Sequence, residues 1–158
     1  MKHFIYITII TVVGCCLTSC DKDFSTWKNL NTNWLEDNQQ SNHTTLNVTG
    51  TGLQYEVFHT GYGAVPKLGS LVCVTYTGWM VDKTIIDSGS SVWMAVENVI
   101  PGWQEALGKM KQGSHWKIYV PYTLGYGTDG TETTIGTYKI PPYSTLIFDI
   151  ELVDVINY

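Results

Sequence analysis

The chain has no arginine, and its positive charge rests on 9 lysines against 14 aspartates and glutamates, for a net charge of −5. A protein that reads or coats nucleic acid needs a basic face, so nucleic acid is excluded as a partner. Cysteine is almost as scarce where it would matter. Cys15, Cys16 and Cys20 sit close to the start, and only Cys73 falls in the body of the chain. That excludes an intramolecular disulfide or a cysteine-rich zinc site there. His43, His59 and His115 are scattered without metal-ligand spacing. The chain also lacks a Ser/His/Asp motif, a phosphate-binding loop, a heptad run and any internal repeat. The expectation is a function with no cofactor and no metal.

The front of the chain points to a compartment. Met1-Lys2-His3 is a short basic start, and residues 4–13 are apolar apart from two threonines. This stretch is too short for a comfortable membrane span and has the layout of an export signal. Leu17-Thr18-Ser19-Cys20 follows, with charge beginning at Asp21. That tetrapeptide resembles the lipobox of bacterial lipoproteins, in which cleavage precedes the cysteine. The resemblance implies a signal peptide over 1–19 and a lipidated Cys20 held at the membrane of the bacterial cell envelope, facing the periplasm or the surface. One acyl chain anchors only marginally; the lipoprotein resemblance implies several. Removing 1–19 from 158 residues takes Lys2 and leaves 139, with 8 lysines against 14 acids, or −6. That is enough for one domain and a tether.

Residues 20–50 read as a polar tether containing one ordered piece. Phe24, Trp27, Leu30 and Trp34 recur at helical spacing, with Asp23 or Ser25 as a cap. A helix this short is marginal alone and needs a partner. Its own domain is the default; a homodimer through residues 24–35 or another protein is the alternative. From 39 to 52 the chain turns to Asn, Ser, Thr and Gly, and reads as a linker.

The domain occupies 51–158. Leu53, Tyr55 and Val57 alternate with polar residues as in a half-buried strand. Strands are predicted over 71–77, 84–87 (closed by the turn Asp87-Ser88-Gly89), 92–96, 115–120 and 145–153, and a helix over 101–110. Residues 121–143 are irregular. About five strands and one helix give an α+β fold, an antiparallel sheet wrapped over a single short helix.

One segment stands out: Val99-Ile100-Pro101-Gly102-Trp103. Pro101 suits a first helical position, and Gly102 leaves no side chain beside the indole. By residue type the segment is either a buried helix start or a pocket with Trp103 as its floor and Val99 and Ile100 as its wall. Taken singly, Phe148 reads as core, Tyr76 as a strand aromatic and Asp87 as a turn cap.

The segment is accompanied, in order, by Gly52-Leu53-Gln54-Tyr55, Val74-Thr75-Tyr76-Thr77-Gly78 and Asp87-Ser88 before it. Leu124-Gly125-Tyr126-Gly127, Ile140-Pro141-Pro142 and Leu146-Ile147-Phe148-Asp149-Ile150-Glu151-Leu152 follow it. Together these pieces resemble the FKBP family of peptidyl-prolyl cis-trans isomerases over 52–155. The resemblance implies a strongly curved sheet around the helix and isomerase activity on X–Pro segments of unfolded or exported proteins. It implies Tyr76 and Phe148 as aromatic walls, Asp87 as the acidic rim and Val99 and Ile100 as wall. Trp103 becomes the floor, Tyr126 a hydroxyl donor to the substrate carbonyl, and Ile140 the lip. Two departures stand out. The family usually places Phe before the pocket Asp, and this chain has Ile86, so an aliphatic group replaces the ring edge facing the proline. The loop over 128–139 is also longer than in compact members. Ile86 motivates the alternative reading, a weakly active or inactive peptide-binding or chaperone lipoprotein.

Overall fold

The computed structural model describes residues 23–42, 44–132 and 139–158. The signal peptide, Cys20 and residues 133–138 of the 128–139 loop lie outside the described residues. The elements in order are α1 (Ser25–Ser41), β1 (Leu46–Val48), β2 (Gln54–His59), β3 (Leu71–Met80), β4 (Ile85–Ala95), α2 (Pro101–Leu107), β5 (His115–Val120), β6 (Thr131–Glu132), β7 (Lys139–Ile140) and β8 (Leu146–Ile156). Six strands form one antiparallel sheet in the order β1-β2-β5-β8-β3-β4, and β6 and β7 form a separate two-stranded ribbon.

The core lies between the sheet and α2. Val72 and Val74 of β3, Ile118 and Val120 of β5, Ile150 and Leu152 of β8, and Ala106 and Leu107 of α2 are fully buried. Each large aliphatic side chain removed from water contributes about 1.5–3 kcal/mol. Alternation along β5 and β8 sends every second residue to this layer, as a pleated strand must. Two glycines set how closely the layers approach. A Cβ on Gly102 would lie 2.5 Å from Val120 Cγ1, and one on Gly78 would lie 2.5 Å from Phe148 Cε1. The first lets the start of α2 settle onto β5. The second lets the Phe148 ring lie over β3.

Four details differ from the reading of the sequence. The predicted strands 84–87 and 92–96 are one strand, β4, and Asp87-Ser88-Gly89 lies within it rather than closing a turn. Val74 pairs with Val92 and Tyr76 with Gly89, so β4 carries one extra residue there. Ser91 absorbs it at φ 53°, with its N–H bonded to Thr75 Oγ1 at 3.0 Å; this is a β-bulge. Gly89 serves packing, since a Cβ there would meet the Tyr76 ring at 2.8 Å. The helix predicted over 101–110 ends at Leu107. Beyond it the chain tightens, and the Met110 N–H still reaches the Ala106 carbonyl at 3.0 Å, a common way to satisfy terminal carbonyls.

The other two differences concern the segment before the domain. Residues 39–52, read as linker, contain the end of α1 and the edge strand β1 paired with β2. The helix predicted from Phe24, Trp27, Leu30 and Trp34 exists and extends to Ser41, but Leu30 is exposed and Asn31 is its one buried residue. Trp27 and Trp34 face the helix's own domain: Trp27 packs against the core, and the Trp34 ring lies 5.6 Å from Tyr119. Polar contacts dominate the rest. The Thr145 N–H donates to Asn31 Oδ1 at 2.7 Å, Gln54 Nε2 donates to the Leu35 carbonyl at 2.9 Å, and Asn38 Nδ2 donates to Gln54 Oε1 at 2.8 Å. The buried Thr145 N–H, just before β8, needs a partner, so an amide is favoured on α1 where an aliphatic stripe was expected.

Candidate active site

A cavity of about 270 Å³ opens beside the start of α2. Its floor is the Trp103 indole, carried on the first turn of α2 and 4 % exposed. Tyr76 from β3 stands edge-on to that indole at 5.1 Å and 87°, and Phe148 from β8 stands edge-on at 5.2 Å and 85°. Edge-to-face aromatic pairs at this spacing are favoured by the ring quadrupoles, so the three rings hold one another in a wedge. Val99 and Ile100 close one wall. Pro101 holds the chain at the helix's first residue. Gln104, one turn later, reaches back and donates to the Val99 carbonyl at 2.9 Å and to the Glu97 carbonyl at 3.2 Å. The wall is thereby tied to the helix that carries the floor.

The polar side consists of Asp87 and two phenols. Tyr76 Oη donates to Asp87 Oδ2 at 2.7 Å, and Asp87 Oδ1 accepts from the Ser88 N–H at 2.8 Å. Asp87 therefore bonds both the backbone amide of the next residue in β4 and the pocket tyrosine. Burial, then the hydrogen bond and charge of Asp87, push the Tyr76 phenol well above its ordinary range. Burial, and after it the Asp87 charge, also raise Tyr126. Both hydroxyls remain protonated at neutral pH. Tyr76 spends its proton on Asp87, whereas Tyr126, half-exposed at the mouth, keeps a donor to offer.

Tyr76, Asp87, Val99, Ile100, Trp103, Tyr126 and Phe148 all line this one cavity. Ile86 and Ile140 do not. Ile86 is buried in the core, near Phe148 and Gly78. An aliphatic group there packs beside the Phe148 ring and supports the wedge from the core side. Ile140 is buried where β7 pairs with Thr131 of β6. Met94, Asn98 and Gln104 were missed. Met94 lies opposite Val72 across β3 and β4, which strand parity could have indicated had β4 been read as one strand. Asn98 has no signal beyond its adjacency to Val99. Gln104 carries the signature of a polar side chain one turn into a helix, able to bond back over its start. Among the described residues no cluster of His, Cys, Asp and Glu could hold a metal ion, and no helix is long and apolar enough to cross a membrane.

The family described as FKBP-type peptidyl-prolyl cis-trans isomerase matches residues 63–153. The FKBP-type 22 kDa peptidyl-prolyl cis-trans isomerase of Escherichia coli (strain K12) is 39% identical over 127 residues, covering 78% of this chain and 58% of that protein. The outer membrane protein MIP of Legionella longbeachae is 42% identical over 112 residues, covering 68% of this chain and 46% of that protein. The chain thus spans about half the length of these relatives. A crystal structure of a peptidyl-prolyl cis-trans isomerase from Pseudomonas syringae pv. tomato DC3000 superimposes with a TM-score of 0.76 at 25% identity, covering 87% of this chain and 98% of that one.

Proposed function

This chain belongs to the FKBP-type peptidyl-prolyl cis-trans isomerase family, and from that membership we propose that it catalyses cis-trans isomerisation of X–Pro bonds in proteins folding at the bacterial cell envelope. The observation that carries the reading is the wedge of Tyr76, Trp103 and Phe148 beside the Tyr126 hydroxyl, which bonds none of the described residues, all in one cavity.

The chemistry needs no nucleophile. Resonance holds the peptide bond planar behind a barrier of ~18–20 kcal/mol, and X–Pro isomerisation is correspondingly slow. The planar amide is the more charge-separated state, and the twisted one is less so. An aromatic cavity that replaces water disfavours the planar state relative to the twisted one, while its rings grip the proline. Tyr126 can hold the substrate carbonyl as the bond turns. Each ~1.4 kcal/mol of such differential stabilisation gives a factor of ten in rate. A protease-coupled or fluorescence assay on an X–Pro peptide tests the reading: the full chain should accelerate isomerisation, and no acceleration would remove the enzyme reading. The binding-module alternative drew its support from Ile86, which lies outside the cavity lining.

Residues 1–19 are read as an export signal, 20–50 as the connection and 51–158 as the isomerase domain. Anchoring rests on Leu17-Thr18-Ser19-Cys20 and is supported by a relative named as an outer membrane protein. Cys20→Ala should leave the precursor unprocessed and unlipidated, which mass spectrometry of the membrane fraction would detect. A homodimer through residues 24–35 would have to form from the exposed side of α1, around Leu30, because Trp27 and Trp34 are turned to the domain. Sedimentation at micromolar concentration distinguishes one copy from two.

A further inference from the structure

We propose that α1 is a positioning arm for the catalytic pocket: it holds segment 141–145, and through that segment it sets the place of Tyr126. The inference rests on the isomerase reading for its consequence, but its basis is a continuous set of contacts. Trp27 Nε1 donates to Ser144 Oγ at 3.0 Å, and Ser144 Oγ donates to the Pro141 carbonyl at 2.7 Å. One turn along, Asn31 Oδ1 accepts the Thr145 N–H at 2.7 Å while its own amide is aimed by the Trp27 carbonyl at 2.8 Å. Lys28 places its ammonium 5.0 Å over the Tyr143 ring. Three successive residues, Tyr143, Ser144 and Thr145, are thus held from one helix.

The far side of the same segment holds the loop of Tyr126. The Tyr143 N–H donates to the Gly127 carbonyl at 3.0 Å, and the Tyr143 ring packs edge-on against Tyr122 at 5.2 Å. Gly127 in turn donates to the Tyr122 carbonyl at 2.9 Å. Tyr143 itself sits at φ 62°, a left-handed conformation that a non-glycine side chain resists and that persists only where the surroundings over-determine it. Here they do so from both directions: α1 through Lys28 on the ring and Trp27 on the neighbouring Ser144, and the pocket loop through Gly127 and Tyr122. Asn31, Ser144 and Thr145 are each at most 3 % exposed. Buried hydrogen bonds lose their partner's contribution in full when one side is removed, so a single atom deleted from α1 should be felt at Gly127.

The test is a double-mutant cycle in the full chain. Trp27→Phe keeps an aromatic ring but removes the pyrrole half of the indole together with its N–H, so its loss of packing against the core is read from Tm alongside the activity. Lys28→Gln removes the cation from an exposed position and leaves the buried bonds intact. Each is combined with Tyr126→Phe. If α1 acts through Tyr126, Trp27→Phe lowers kcat/KM on the order of three- to tenfold, as coupled neighbours do, with Lys28→Gln smaller in the same direction. The effect of both then disappears in the Tyr126→Phe background. An equal loss in both backgrounds, or a lower Tm with kcat/KM unchanged, overturns the proposal. Amide hydrogen exchange gives a readout that does not need activity. Trp27→Phe should speed exchange of the Tyr143 N–H that is bonded to Gly127, and unchanged protection there overturns the arm. If the unmodified chain shows no isomerase activity, it is the isomerase reading that fails, and exchange at Tyr143 decides the arm alone. If Trp27→Phe does not fold, Lys28→Gln carries both readouts.

Discussion

The two sides of the cavity are built by different physics. The floor and walls come from regular elements: Tyr76 on β3, Phe148 on β8 and Trp103 on α2. They are held by apolar burial, by the edge-on contacts of three rings and by two glycines that let backbone approach ring or strand. The rim that carries Tyr126 comes from irregular chain, and it is held by hydrogen bonds reaching from α1 through segment 141–145. The first side is therefore inseparable from the stability of the domain. The second can change at Tyr126 itself with little effect on folding, because one hydroxyl at a partly wet rim contributes little net stability, whereas the buried bonds of Asn31, Ser144 and Thr145 behind it belong to the fold.

That difference predicts how variants should separate. The largest effect is expected at Gly78→Ala, where the new Cβ would stand 2.5 Å from the Phe148 ring. Overpacking of this kind costs about 1–3 kcal/mol, so both Tm and kcat/KM should fall. A variant as stable as the parent would break the claim that the wedge is part of the core. Trp103→Leu comes next. At 4 % exposure the indole is a core residue as well as a floor, so up to about 3 kcal/mol of stability should be lost. Activity at equal folded fraction should fall about tenfold or more, the effect of ~1.4 kcal/mol at the transition state. Unchanged turnover would dissociate the wedge from the chemistry.

Tyr126→Phe tests the other side. Loss of one half-exposed hydroxyl should lower kcat/KM about two- to tenfold, the range of a single hydrogen bond, with Tm unmoved. If stability falls in step with activity, the rim is structural and the comparison fails. The pH profile sharpens the same point. Tyr76 and Tyr119 are raised above the ordinary phenol value of about 10, each first by burial and then by its carboxylate partner, Asp87 or Glu56. A pKa higher in the folded state than in the unfolded one gives stability that is intact below the unfolded value and lost as pH rises through the folded one. Thermal unfolding should therefore show no loss from these groups below about pH 9 and a decline above about 10. In Tyr76→Phe that decline should be shallower.

The smallest catalytic effect is expected at Ile86→Phe. The sequence alone suggests that restoring an aromatic residue there would raise turnover. Ile86 is 3 % exposed and outside the cavity lining, so the larger ring should cost about 1–3 kcal/mol by overpacking with kcat/KM at equal folded fraction unchanged. Denaturant melts and an X–Pro peptide assay on the same preparation measure both, and a clear gain in turnover would return Ile86 to the pocket.

The sequence by itself determined the α+β class, the helix start at Pro101 and the membership of Tyr76, Asp87, Val99, Ile100, Trp103, Tyr126 and Phe148 in a common pattern. The class and the helix start are carried by local rules, alternation in strands and proline at a first helical position. The common pattern of the seven residues came instead from the resemblance to a family, since singly each reads as core, strand or turn. Tertiary structure alone decided the rest. A bulge joined two predicted strands into β4, because Ser-Gly chemistry that suits a turn also suits an extra residue facing Thr75. Leu30 gave way to Asn31 because the buried Thr145 N–H under α1 takes the Asn31 side chain as its acceptor, a need that apolar periodicity does not register. Ile86 and Ile140 left the cavity for buried positions outside its lining, and Met94 and Asn98 entered it, because membership of a concave surface depends on which elements meet across space. The link from Trp27 to Tyr126 spans most of the chain. It rests on hydrogen bonds between residues 117 positions apart, and no local pattern encodes a contact of that range.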